Sequence, residues 1–144
     1  MHEEFTILVA DRNRNIREFL HRELSAEGYH IELAHDGRTL LMMLKSKCPD
    51  LLILDLEIPF IDGIEILEQL QDQQSSIPVV VHTLLTEYAN HPAVQRAAAF
   101  VEKMGNNIIG LKEVIVEVLR KYYPHRFKTK ELIEENCKSI NHCT

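Results

Sequence analysis

The stretch Leu51–Gly63 reads LLILDLEIPFIDG. Leu51 to Leu54 are apolar without a break, as in a strand buried on both faces. The run stops on Asp55, and Pro59, Asp62 and Gly63 follow as turn residues. A buried strand that ends in a carboxylate must place it where the charge is solvated or paired. The rim of a sheet is such a place.

Working outward from Asp55, the same arrangement recurs. Ile7 to Ala10 form a short apolar run that ends at Asp11. Ile16, Leu20 and Leu24 recur at helical spacing, and Gly28 marks a stop. YHIELA, residues 29–34, alternates as a strand does, and Leu40, Leu41 and Leu44 lie on one face of a helix broken by Pro49. Beyond Gly63, Ile64, Leu67 and Leu70 mark a helix; Val79 to Val81 form a strand. Pro92 suits a first helical turn capped by Asn90 or His91, and that helix is expected to continue from Val94 to Ala98. AFVE, residues 99–102, is a fifth strand, and Leu111, Ile115, Val118 and Tyr122 belong to a helix that Pro124 ends. Five strand–helix units with apolar strands imply a doubly wound, five-stranded parallel sheet with helices on both faces, an α/β fold. Residues 1–124 are expected to form this domain. Residues 125–144 fall outside the pattern and read as a C-terminal extension, with a short amphipathic helix around Leu132 and Ile133 and a frayed tail.

At 144 residues with 45% hydrophobic content, the chain can bury a sizeable core. Its net charge of −6 disfavours binding to nucleic acid phosphates or an anionic membrane. No apolar run approaches the roughly 20 residues a membrane helix needs. The acidic start MHEEFTILVAD lacks a signal-peptide pattern, so a cytoplasmic location is expected. Cys48, Cys137 and Cys143 do not suggest a disulfide framework. Cys137, His142 and Cys143 lie close in sequence but lack a second pair at zinc spacing, and read as an ordinary polar tail.

In an open α/β sheet, ligands bind beyond the carboxyl ends of the strands. The residues there are Asp11, Asp55, Thr83 and Lys103. Two carboxylates, a hydroxyl and an ammonium suit a phosphoryl group with a divalent cation: a carboxylate can attack phosphorus, and the lysine and hydroxyl can hold the transferred oxygens. Asp11 could instead cap the next helix, Lys103 alone could be a solvated surface charge, and Asp62 reads as a cap or turn residue. There is no glycine-rich phosphate loop and no nucleophile elbow, so a nucleotide- or flavin-binding reading has no motif behind it.

These segments resemble the receiver domain of two-component response regulators, of flavodoxin-like fold. The resemblance rests on ILVADRN, PDLLILDLEIPFIDG, IPVVVHT and AAAFVEK, in order and correctly spaced, and covers roughly residues 5–122. It implies that Asp55 is the phosphoacceptor, that Asp11 and Asp55 hold Mg2+ with the backbone carbonyl of Glu57, and that Thr83 and Lys103 bind the phosphoryl group. Phe100 occupies the aromatic switch position and lacks a hydroxyl. The implied function is phosphorelay signalling rather than enzymatic turnover. A histidine kinase or phosphotransfer protein would be the donor, and a downstream protein partner or a homodimer would carry the output.

Three positions depart from the family pattern. Arg12 replaces a second acid, which should weaken Mg2+ binding. Its side chain is left open between solvent and the pocket, where it would pair with Asp55. The Glu57 side chain could stand in for the missing acid. Leu84 follows the switch hydroxyl where a small residue is usual, and crowds the phosphodonor. Met104 replaces a proline after Lys103, so the loop is expected to run trans. Together these departures support an alternative: a degenerate receiver acting as a phosphorylation-independent interaction module.

Overall fold

The computed structural model describes residues 5–103 and 107–127. Met104, and the expectations for the tail from Thr129 onward, lie outside the described residues. The strands are β1 (Thr6–Ala10), β2 (His30–Ala34), β3 (Leu51–Leu54), β4 (Val79–Thr83) and β5 (Ala99–Glu102). The helices are α1 (Arg14–Ser25), α2 (Gly37–Lys47), α3 (Gly63–Asp72), α4 (Pro92–Gln95) and α5 (Ile108–Tyr122). The sheet order is β2-β1-β3-β4-β5 and every pairing is parallel. The expected doubly wound fold is therefore the fold observed.

Alternation along the strands divides the core. Ile7, Val9, Leu51, Ile53 and Val80 pack with Leu20 and Leu24 of α1 and Leu111 and Ile115 of α5. Leu8, Ala10, Leu52, Leu54 and Val81 turn the other way, toward Leu40 of α2, Ile66 and Leu67 of α3 and Val94 of α4. Side chains point alternately across a strand. An unbroken apolar run such as β3 thus supplies both layers. Each face adds roughly 1.5–3 kcal/mol per buried large side chain. Among the described residues, no helix is long and apolar enough to cross a membrane.

Local capping sets the helix starts. Asn13, rather than Asp11, caps α1 by accepting from the amides of Asn15 and Ile16. Asp62 caps α3 by accepting from the Glu65 amide, and His91 Nδ1 accepts from the Ala93 amide at the start of α4. The fourth helix is a correction. It ends at Gln95 instead of continuing to Ala98, and a 3-10 turn over Thr86–Tyr88 precedes it. The Ala98 amide is held by the Val79 carbonyl at 2.9 Å, so the chain must already be extended there to enter β5. Sheet pairing overrides the helix propensity of the alanines.

Pro124 ends α5 and opens a further helical turn over 124–127, since its fixed φ suits a first helical position. That turn folds back beneath the amino-terminal edge of the sheet. Asp50 is the hub. Its carboxylate accepts from the Thr6 amide and from Arg126, both at 2.7 Å, and its carbonyl accepts from the Tyr123 hydroxyl at 2.6 Å. Phe127 stacks on Phe5 at 5.5 Å between centroids, and the Arg126 guanidinium lies 4.0 Å from the Phe5 ring centre. Replacing Asp50 by alanine removes the acceptor from the Thr6 amide, a loss of about 1–3 kcal/mol. Urea denaturation of Asp50→Ala should show that loss and Asp50→Asn a smaller one. A change below about 0.5 kcal/mol in Asp50→Ala, the range of neutral surface substitutions, would show that the hub is not stabilising.

Candidate functional site

Four strands deliver four side chains to one edge. Asp11 follows β1, Asp55 follows β3, Thr83 closes β4 and Lys103 follows β5. Asp11, Asp55 and Thr83 are buried, at 1%, 3% and 0% exposure. The Lys103 ammonium lies between the two carboxylates, 2.6 Å from Asp11 Oδ2 and 3.1 Å from Asp55 Oδ2. The Thr83 hydroxyl donates to Asp55 Oδ1 at 3.2 Å, and the Glu57 amide donates to the same oxygen at 3.1 Å. Asp11 Oδ1 accepts from the Asn13 amide at 2.8 Å. Backbone bonds hold these positions: the Asp55 amide donates to the Ala10 carbonyl, and the Lys103 amide to the Thr83 carbonyl, each at 2.9 Å.

Two neighbouring buried carboxylates repel each other and lose hydration. Burial pushes the Asp11 carboxyl above its usual range, while the Lys103 hydrogen bond and the Asn13 amide pull the other way. One ammonium between two carboxylates leaves a deficit of positive charge. A pocket of that kind can receive a cation, or an electrophile whose oxygens engage Lys103 and the Thr83 hydroxyl.

At the rim, Arg12 takes neither course alone: its guanidinium is half-exposed and pairs with Glu57 Oε2 at 3.0 Å and not with Asp55; Lys103 holds Asp55 instead. The same contact occupies the Glu57 carboxylate, so that side chain is engaged by a cation rather than free to replace the missing acid. Arg12 is 57% exposed and Glu57 29%, so the pair lies at the mouth of the pocket. Among the described residues, no group of three or more His, Cys, Asp or Glu is arranged to hold a metal ion. Leu84 is 64% exposed on the same edge. Phe100 is half-buried against the α2–α3–α4 side of the core.

Two features were missed in the sequence. The first is Phe60. The Ile61 amide donates to the Pro59 carbonyl at 2.9 Å, and Phe60 between them has φ 71°, which makes it the centre of a γ-turn of the positive-φ kind. The Gly37 amide also donates to the Pro59 carbonyl at 2.9 Å, and a Cβ on Gly37 would fall 2.4 Å from the Ile61 carbonyl oxygen. The turn is thus clamped against the start of α2. A bulky residue in such a conformation costs about 1–3 kcal/mol. The ring is 69% exposed, and the Arg38 guanidinium stacks on it, 4.1 Å from the ring centre. An exposed cation–π contact returns about 0.5–1 kcal/mol, which does not exceed the strain. The signal in the sequence was an aromatic residue inside a Pro-x-x-Asp-Gly turn.

The second is His82, between Val81 and Thr83 on β4. It points to the α1–α5 side, opposite Val79 and Val81, and its Nδ1 is buried without a hydrogen-bond partner among the described residues. Burial, followed by the positive charge of Lys103, lowers its pKa to about 4.

Fold and strand-end acids and lysine together define a class, the receiver domain. The chain belongs to the response regulator receiver domain family, which matches residues 7–113. Over 77 residues it is 47% identical to the response regulator MprA of Mycobacterium avium. That stretch is 54% of this chain and 34% of the relative, so the chain spans about a third of the length of the curated relatives it matches. Among solved structures, the response regulator TrrA of Thermotoga maritima, in complex with Mg2+-BeF, is 34% identical with a TM-score of 0.74. The similarity covers 80% of this chain and 99% of TrrA. TrrA in complex with the histidine kinase ThkA matches with a TM-score of 0.73 over 80% of this chain and 98% of TrrA.

The lowered pKa of His82 fixes the direction of a pH effect. The unfolded imidazole protonates near pH 6.5 and the folded one near 4, so protons favour the unfolded chain in that window. The stability tied to neutral His82 is present above pH 6.5 and is lost as pH falls toward 4. Between pH 7 and pH 5 the loss is about 2 kcal/mol. Urea denaturation at the two pH values should show His82→Leu less sensitive than the wild type by about that amount. Equal pH sensitivity would mean that His82 is protonated as easily in the folded state.

Proposed function

We propose that this domain accepts a phosphoryl group on Asp55 from a histidine kinase or phosphotransfer protein and passes the change to a downstream protein. The observation that carries this reading is the Lys103 ammonium bridging Asp11 and Asp55 while the Thr83 hydroxyl rests on Asp55. An Asp55 carboxylate oxygen attacks the phosphorus of a phosphohistidine. A P–O bond forms as the donor's P–N bond breaks, and the imidazole leaves with the electron pair and takes up a proton. The acyl phosphate carries about two negative charges where the carboxylate carried one. Lys103 offsets part of that charge, and Thr83 donates a hydrogen bond to the added oxygens.

Mg2+, when bound, supplies further positive charge to the phosphoryl oxygens. Asp11 and Asp55 would hold it: two carboxylates are a set that binds Mg2+ together with phosphate oxygens and water. The expected backbone carbonyl of Glu57 completes the proposal. Arg12 adds a permanent positive charge at the mouth, so the affinity should be low. Thr83 Oγ1 also accepts from the Leu85 amide at 3.1 Å. A hydroxyl drawn toward a phosphoryl group therefore moves the chain that leads into the Thr86–Tyr88 turn; Phe100, opposite Val81 in the β4–β5 register, would be the aromatic of the switch. This reading carries a cytoplasmic location, with residues 1–124 as the receiver. The Arg12–Glu57 pair and Leu84 favour a second reading, a degenerate receiver that binds partners without phosphorylation.

Intact mass after incubation with acetyl phosphate and Mg2+ separates the two. The expected result is one added phosphoryl group, labile at alkaline pH and absent in Asp55→Asn. An unmodified wild type would favour the degenerate reading, and labelling that persists in Asp55→Asn would refute the assignment. Arg12→Asp should tighten Mg2+ by at least about tenfold, roughly 1.4 kcal/mol, in calorimetric titration. Equal affinity in the two proteins would show that Arg12 does not act on the cation.

A further inference from the structure

We propose that Phe60 selects the protein phosphodonor: the phosphohistidine-bearing protein lays an apolar side chain against this ring as it covers Asp55. The inference rests on the reading of Asp55 as phosphoacceptor.

Phe60 sits where glycine would fit without strain, at φ 71° in a γ-turn, yet it is 69% exposed. The fold gains little from the ring. The loop nevertheless holds it firmly. Pro59 is tied to Gly37, Gly63 donates to the Leu56 carbonyl at 3.0 Å, and Asp62 caps α3. A rigid exposed aromatic loses little freedom on binding, and aromatics of this kind dominate interface energetics.

Its position names the occupant. Phe60 follows β3, Leu84 follows β4, and Ile109 opens α5 after β5, each between 64% and 69% exposed. The topology sets these three large apolar residues around the carboxyl edge of the sheet, with Asp55 among them at 3% exposure. A donor must come over this rim to reach the carboxylate. A small phosphodonor needs no contact with Phe60, whereas a protein bearing a phosphohistidine covers the rim as it reaches in. The charge next to the ring agrees. The chain carries −6 overall, but the exposed Arg38 guanidinium stacks on Phe60 itself, whereas Arg12 is already paired with Glu57. The fitting surface is therefore apolar beside the phosphohistidine, with an acidic group opposite Arg38.

Two donors test this. Wild type, Phe60→Gly and Phe60→Tyr would be labelled by acetyl phosphate, and separately by a panel of purified autophosphorylated histidine kinases that includes ThkA. The expected result is that Phe60→Gly keeps the acetyl phosphate rate, with a denaturation midpoint no lower than that of the wild type because the strain at this position is relieved. Its kcat/KM for transfer from the kinase should fall about tenfold, mainly through KM, and Phe60→Tyr should retain most of it. Kinase transfer to Phe60→Gly within twofold of wild type would overturn the proposal. So would an equal loss with both donors, which would place the effect in the pocket, or a wild type labelled by acetyl phosphate and by no kinase in the panel. A wild type that acetyl phosphate fails to label would remove the phosphoacceptor reading itself, and this proposal with it.

Discussion

The contact on which the rest depends is one ammonium between two buried carboxylates. Without Lys103, the edge of this sheet would hold two negative charges side by side with little water to screen them. Coulomb repulsion at such separations is weak in water and several times stronger at a protein surface. Lys103 is set in place by the backbone, since its amide continues the β4–β5 ladder through the Thr83 carbonyl. The strand order then does the remaining work. β1 and β3 are neighbours and place Asp11 beside Asp55, and β4 lies on the other side of β3 and brings Thr83. The sheet turns positions far apart in sequence into a pocket.

The unpaired charge left by this arrangement makes the site responsive. A fully neutralised trio would have little reason to bind a cation or a phosphoryl group. Here the acids outnumber the ammonium, and the surplus is buried. Arg12 changes the approach to the pocket and not its floor. It pairs with Glu57 at the mouth and leaves the Asp11–Lys103–Asp55 bridge untouched. The substitution therefore acts on what enters from outside.

Much of this could be read from the chain. Leu51–Leu54 and Ile7–Ala10 end in aspartates, and apolar runs that stop on a charge mark strand ends whatever the tertiary detail. That logic found Asp11, Asp55, Thr83 and Lys103. It could not find the partner of Arg12, because a long side chain can reach several acids and the choice depends on loop geometry. Nor could it give the length of α4, since AVQRAAAF suits a helix until the Ala98–Val79 bond is known. The strain at Phe60 was hidden for a similar reason. Pro59 announces a turn, but its type is set by Gly37, more than twenty positions earlier. The fold-back of Arg126 and Phe127 rests on Asp50 and on the Phe5 ring, and no pattern singles out either.

That fold-back has a consequence for handling the molecule. Asp50 and Asp55 bracket the same strand, β3, at about 3.3 Å per residue. Phe127 is thus fastened to the pole opposite the edge that carries Asp55, about 17 Å away along the strand axis. A dye or tether joined at Phe127 itself is anchored on the far side of the sheet from Asp55. That position is accordingly the natural point of attachment when the edge carrying Asp55 must stay clear.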